Sequence, residues 1–260
     1  MLRSSRRRRR DMLELEDKVV IVTGAGGGIG RGIVSTLAHA GAIVVAADRD
    51  AGALADTQKM DNVHTAVADV SDPKQVKALI DDAVSTHGRL SGIVNNAGVS
   101  IPNAVADATV EEFEAIMSVN LRGPFLGCKY AVPHLLAAGG GSIVNIGSIN
   151  SVVAEPQLAL YCASKGGVLM LSKAIALDYA SQGVRCNCVC PGFVDTAINV
   201  PHSQRLASLG LDESIESFQP LARPIAPEEI GRAVAFLISD WSSAITGTAV
   251  LVDGGITAKA

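Results

Sequence analysis

Near the start of the chain a short apolar run, VVIVT (19–23), passes into a glycine cluster, GAGGGIG (24–30), and then into a helical stretch ended by Gly41. The first run is β-branched almost throughout, which suits a strand. The glycines allow a turn too tight for residues that carry a Cβ, and Gly41 supplies a helix stop. A strand that feeds a helix in this way constrains the rest of the chain, because the next parallel strand is reached by a right-handed crossover. The unit recurs. Strand-like segments lie at 42–48, 63–70, 92–98, 141–148, 184–192 and 248–255. Helical stretches lie at 73–88, 109–138, around Tyr161 and at 227–239, and 193–224 is loop-rich. The pattern predicts an α/β fold: a single Rossmann-type, doubly wound parallel sheet of about seven strands with helices on both faces. Only 3% of residues are aromatic while 26 are glycine, so helices are expected to pack closely on a sheet of small and branched side chains.

Charge divides the chain unevenly. Six arginines fall in the first ten residues, and the rest carries 16 basic and 26 acidic residues. Residues 12–260 read as one acidic domain, which argues against nucleic acid as its main partner. Residues 1–11 read as a disordered, solvated leader; a nucleic-acid arm and a targeting element are the other readings. No apolar run approaches the ~20 residues of a membrane span, and no apolar segment of signal-peptide length comes after the arginines. A cytoplasmic protein with no membrane partner is expected. Cys128, Cys162, Cys186, Cys188 and Cys190 read as buried thiols of a reducing compartment. The run CNCVC would place three sulfurs on one side of a strand without the C-x-x-C spacing of metal sites, so no metal is expected.

The turn TGAGGGIG sits where a strand hands over to a helix, and this context makes it a phosphate-binding candidate. Gly24, Gly28 and Gly30 let the backbone approach a pyrophosphate at the helix N-terminus. The next strand ends in Asp48, eighteen residues after Gly30. An acid there accepts hydrogen bonds from ribose hydroxyls and repels a 2′-phosphate, favouring NAD over NADP. Arg49 comes directly after it and keeps NADP open. Further along, YCASK places Tyr161 and Lys165 one helical turn apart on the same face. A phenol titrates near ~10, and an ammonium beside it favours the phenolate. The alternative is an interfacial core tyrosine next to a snorkelling lysine. Ser148 ends the strand GSIVNIGS, at the sheet edge where open α/β folds place their ligands.

TGAGGGIG, NNAG (95–98), the Asn of VNLRGPF, Ser148, Y-x-x-x-K at 161–165 and PGFVDT (191–196) occur in that order. Together they resemble the short-chain dehydrogenase/reductase family in its compact form, over residues 14–258. The resemblance implies Tyr161 as general acid/base and Lys165 as the group that holds the nicotinamide ribose and lowers the tyrosine's pKa. It implies Ser148 on the substrate oxygen and Asn120 on a water of a proton relay. Gly24, Gly28, Ile29 and Gly30 would hold the pyrophosphate end, Asp69 and Val70 the adenine, Asn96 the adjoining ribose, and Val194 and Thr196 the carboxamide. Pro124, four residues after Asn120, cannot donate to its carbonyl; the freed carbonyl would anchor the relay water, or the proline is a tolerated kink. The family is commonly tetrameric through the Asn120 and Tyr161 helices, where Gly127, Ala131, Gly166 and Gly167 are compatible with close packing.

Specificity is expected from the segment after Ser148 and from 193–224, where the family carries a lid. Asn150, Glu155 and Gln157 offer polar contacts. His202 and Arg205 are candidate partners for an acidic substrate group, or solvated side chains. The expected activity is NAD-dependent interconversion of a small secondary alcohol (hydroxy acid, sugar or cyclic alcohol) and its ketone. A 3-oxoacyl thioester reductase using NADPH is the alternative enzyme, and Asp48 argues against it. A catalytically silent nucleotide sensor or scaffold is the alternative of another class; the intact Ser, Tyr and Lys argue against that.

Overall fold

In the computed structural model, residue 13, residues 15–211 and residues 214–259 are described. The arginine leader and the expected domain start at residue 12 lie outside them. Seven strands, β1 (Val19–Thr23), β2 (Ile43–Asp48), β3 (Val63–Val67), β4 (Gly92–Asn95), β5 (Gly141–Ile146), β6 (Val184–Pro191) and β7 (Ala249–Val252), form one sheet. Its order is β3-β2-β1-β4-β5-β6-β7, with every pairing parallel. The chain winds outward to β3 and then returns to β4 beside β1. That reversal opens a crevice at the carboxyl ends of β1 and β4, the topological switch point of such sheets.

The described helices are α1 (Gly28–His39), α2 (Pro73–His87), α3 (Val110–Met117), α4 (Gly123–Ala137), α5 (Ala159–Tyr179), α6 (Val200–Ser208), α7 (Ile215–Phe218) and α8 (Pro227–Ile238). Alternation along the strands assigns them to two faces. Val20, Val22, Val44 and Val144 join Ile33 of α1 and Val234 of α8 in one core. The intervening Ile21, Val45, Ile93 and Ile143 join Ile80 of α2 and Leu135 of α4 in the other. Local signals set the helix ends. Pro73 opens α2, the Asp72 side chain accepts from the Lys74 amide, and Gly88 at φ 76 closes it. Thr109 and Glu112 form a capping box at the start of α3.

Four sequence expectations change. The stretch 109–138 is not one continuous helix: α3 and α4 are joined by a π-helical turn, Ser118–Arg122, in which the Gly123 amide donates to the Ser118 carbonyl. Pro124 lacks an amide hydrogen, so the ordinary four-residue bond to Asn120 is missing, and the helix widens here instead of kinking. The stretch 193–224 carries α6 and the short α7. Thirdly, the helix at Ala159–Gln182 has the length and mean hydropathy (1.2) of a membrane span, where none was expected. Ser164, Lys165 and Ser172 break its apolar run, and all three are buried among neighbouring elements. Finally, two of the small residues compatible with close packing between subunits lie within the fold of the single chain instead. Ala131 is fully buried, and a Cβ at Gly127 would lie 2.1 Å from Asn95 Oδ1.

The sulfurs of Cys188 and Cys190 lie 3.8 Å apart along β6, and all five cysteines are free. Among the described residues no group of three His, Cys, Asp or Glu side chains could hold a metal.

Candidate active site

The glycine turn leaves β1 with the geometry of a cradle. Gly24 and Gly28 have φ of +63° and +48°, in the left-handed region, and a Cβ at Gly30 would lie 1.9 Å from the Gly24 carbonyl oxygen. Only glycine fits these positions. Helix α1 begins without a side-chain cap and without an acid in its first turn, so its leading amides are left for an anion. They border a cavity of about 300 Å³ lined by Gly24, Gly28, Ile29, Gly30, Asp48, Asn96, Tyr161, Lys165, Val194 and Thr196, all expected from the sequence, together with Gly98, Gly147 and Asn199. An adjoining cavity of about 130 Å³ shares Gly24 and Asp48 with it and adds Asp69, Val70, Arg49 and Val119. The residues present are compatible with a nicotinamide dinucleotide: uncapped amides that could hold a pyrophosphate, the Asp48 carboxylate near them, and a second cavity with Val70 and Val119 in its wall.

Local bonds hold the walls. Asp48 Oδ2 accepts from the Gly26 amide at 3.0 Å and Oδ1 from the Asp50 amide at 3.1 Å. Asn96 turns its amide group inward, to the carbonyls of Thr23 (2.9 Å) and Gly24 (3.0 Å), so it braces the glycine turn. Its neighbour Asn95 is buried and donates to Asn145 Oδ1 at 2.7 Å, a lateral tie between β4 and β5. Asp69 accepts from the amide and hydroxyl of Ser71 at 2.8 and 2.7 Å; these bonds, led by the hydroxyl, hold its carboxyl below the usual range.

At the other end of the cavity α5 presents Tyr161 and Lys165. Lys165 is 3% exposed, its Nζ donates to the Ile146 carbonyl at 2.8 Å, and burial pulls its pKa down to about 8. The same Nζ lies 5.7 Å from the centre of the Tyr161 ring. Burial pushes the phenol up to about 12, the nearby Ser148 hydroxyl opposes the rise, and the Glu155 carboxylate adds to it. Burial therefore outweighs any lowering by the Lys165 ammonium in setting the direction of the phenol's shift.

Asn120 and Ser148 stand behind the cavity wall. Asn120 is fully buried. Its amide nitrogen donates to the Val99 carbonyl (2.9 Å) and Ser164 Oγ (3.1 Å), while its oxygen accepts from the Val99 amide (2.8 Å). Ser148 Oγ accepts from the Asn150 amide and donates to Asn150 Oδ1, both at 3.1 Å. A further cavity of about 60 Å³ shares Tyr161, Gly192, Ile198 and Asn199 with the cofactor-sized one, and adds Asn150, Glu155 and His202. Arg205 does not line it; its Nε donates to Gln157 Oε1 at 3.3 Å. Ser100 and Phe218, which the sequence did not single out, close the cavity. Neither carries a local signal, since each arrives from a distant loop or a four-residue helix.

A glycine-cradled dinucleotide cleft on a 3-2-1-4-5-6-7 parallel sheet, with a Tyr–Lys pair at its far end, defines a nucleotide-dependent oxidoreductase fold. A family model described as enoyl-(acyl carrier protein) reductase matches residues 24–257. The chain is 40% identical to 2-(S)-hydroxypropyl-CoM dehydrogenase 3 of Xanthobacter autotrophicus, over 94% of this chain and 98% of that protein. It is 36% identical to cyclohexanol dehydrogenase of an Acinetobacter species, over 95% and 97%. The crystal structure of levodione reductase superposes with a TM-score of 0.89 at 33% identity, over 94% of this chain and 99% of that one. The chain belongs to the short-chain dehydrogenase/reductase family. Membership brings a nicotinamide dinucleotide cofactor and oxidoreductase chemistry on CH–OH groups.

Proposed function

We propose that the chain is an NAD-dependent dehydrogenase that interconverts a small secondary alcohol and its ketone, R₂CHOH + NAD⁺ ⇌ R₂CO + NADH + H⁺. The observation that carries this reading is the position of Tyr161, in the wall common to the cofactor-sized cavity and the smaller one beside it. When bound, the nicotinamide supplies the hydride acceptor and a positive charge. Tyr161 Oη takes the hydroxyl proton in oxidation and returns it in reduction, and Ser148 Oγ steadies the substrate oxygen once its hydroxyl turns from Asn150 Oδ1 into the cavity. Lys165 holds a positive charge under the tyrosine and reaches the ribose. Asn120, with its amide hydrogens engaged by Val99 and Ser164, serves the relay through an acceptor oxygen. Burial raises the pKa of the phenol, and the positive charges of Lys165 and of an oxidised nicotinamide would both favour the phenolate that accepts the proton.

NAD is favoured because the Asp48 carboxylate is fastened at the ribose end by two backbone amides and would repel a 2′-phosphate. Arg49 lines the adenine-side cavity, and that observation supports NADP as the second reading. Assays with NAD and NADP side by side, on wild-type protein and Asp48→Ala, separate the two. The expected outcome is an NAD preference that falls about ten-fold or more in the variant; an unchanged preference removes Asp48 from this role. Self-association, in the form of a homotetramer, is proposed through the α3–α5 surface, where Phe113, Phe125 and Met170 are exposed. Five free thiols fit a reducing compartment such as the cytoplasm.

A further inference from the structure

The cavity beside Tyr161 has a chemical polarity of its own. Glu155 is its one carboxylate, and no lysine or arginine is among the described residues that line it. Glu155 Oε2 accepts from Asn150 Nδ2 at 2.8 Å; among the described residues Oε1 receives no hydrogen bond. Asn150 in turn is bonded to Ser148 Oγ, so the carboxylate sits one residue away from the hydroxyl assigned to the substrate oxygen. Its neighbours in the lining include Ile149, Leu158, Phe193 and Phe218. Glu155 is partly buried, and Ser100, Asn199 and Ser203 add polar groups to the same wall, so its free carboxylate oxygen gains from a further donor and repels a second anion.

The segment carrying Glu155 is held at several points. The Asn103 amide donates to the Gln157 carbonyl at 2.7 Å, Asn103 and Leu158 form a parallel bridge, and Gln157 is locked at φ 64, a conformation that side-chain-bearing residues rarely adopt. From α6, His202 Nε2 donates to the Pro156 carbonyl at 3.0 Å and Arg205 to Gln157. The two side chains read from sequence as partners for an acidic substrate therefore fasten this segment, and the charge that the pocket presents is negative.

Resting on the dehydrogenase reading above, we propose that the substrate bears a second hydroxyl close to the reacting carbon and that Glu155 Oε1 receives it, so that diols are preferred and anionic alcohols are rejected. A site built to bond a substrate hydroxyl discriminates strongly against analogues that lack it. The test compares kcat/KM for two matched sets, 2-butanol, 2,3-butanediol and 3-hydroxybutyrate, and cyclohexanol, 1,2-cyclohexanediol and 2-hydroxycyclohexanecarboxylate, with NAD and NADP. Wild-type protein is expected to favour the diol over both companions by about ten-fold or more in at least one set. In Glu155→Gln the diol-to-acid ratio should fall by a similar factor. Wild-type ratios near one, a preference for the hydroxy acid, or ratios unmoved in a folded Glu155→Gln would overturn the proposal while leaving the dehydrogenase reading in place. The wild-type ratios test it even if the variant does not fold. No turnover of any of the six with either cofactor overturns both.

Discussion

At the scale of single residues, the site contains two side chains whose burial opposes their charge. Lys165 is buried and its pKa is lowered to about 8 from the ordinary lysine value of 10.5, which makes a definite statement about stability. Between those values the unfolded chain binds more protons at this position than the native one, so stability gained here grows as pH rises from about 8 towards 10.5. Below that window both states are protonated and the native state carries the full cost of the buried ammonium. Lys165→Met removes the titration, so the apo protein's stability relative to the variant should rise by up to roughly 1.4 kcal/mol per pH unit across the window. Denaturant unfolding of both proteins between about pH 7 and pH 10 checks this, and parallel curves would show that the lysine does not titrate there. The Tyr161 phenol, shifted upward, is common to both proteins and cancels. The Tyr–Lys spacing was legible in YCASK because helical periodicity alone puts the two on one face. The hydrogen bond from Lys165 to Ile146, nineteen residues away, was not, because nothing local encodes it.

Among elements, the sequence was most legible where a period is repeated. Buried strands with β-branched runs, and helices opened by Pro73 or closed by Gly41 and Gly88, lie within a few residues of the expected bounds. The π turn at Ser118–Arg122 was hidden, because widening one turn of a helix leaves no distinct apolar period. Its effect is local and consequential: it joins α3 to α4 at the point where Asn120 is fully buried against Val99 and Ser164. The helix α6 was also hidden, since VPHSQRLAS is short, mostly polar and has no buried residue. Packing of α4 on the sheet gives a sharp prediction. A methyl at Gly127 would lie 2.1 Å from Asn95 Oδ1, and Asn95 is tied to Asn145 at 2.7 Å. Gly127→Ala should therefore cost about 1–3 kcal/mol of stability through overpacking, measured as a shift in the denaturant midpoint. A neutral substitution would mean that Asn95 can turn aside without loss.

Over the whole molecule, the switch point between β1 and β4 determines where chemistry can occur. The glycine turn comes after β1, Asp48 ends β2, Asn96 comes after β4, Ser148 after β5 and Val194 after β6, so five strands deliver their residues to one rim. The convergence was legible in the strand–helix rhythm together with the motif order, since each motif falls at or just after the end of a strand. The cavity beside Tyr161 was legible only in part, because it is assembled from the 98–103 loop, the 149–158 segment and α6, whose mutual positions no period reports. The central claim is that this rim brings a proton-transferring Tyr161 to a bound nicotinamide, and Tyr161→Phe tests it most directly. Phenylalanine keeps the ring and removes the proton, so NAD affinity by titration should stay within a few-fold of wild type while alcohol oxidation falls by roughly 10²–10⁴. A variant that binds NAD and still turns over at the wild-type rate would contradict the account.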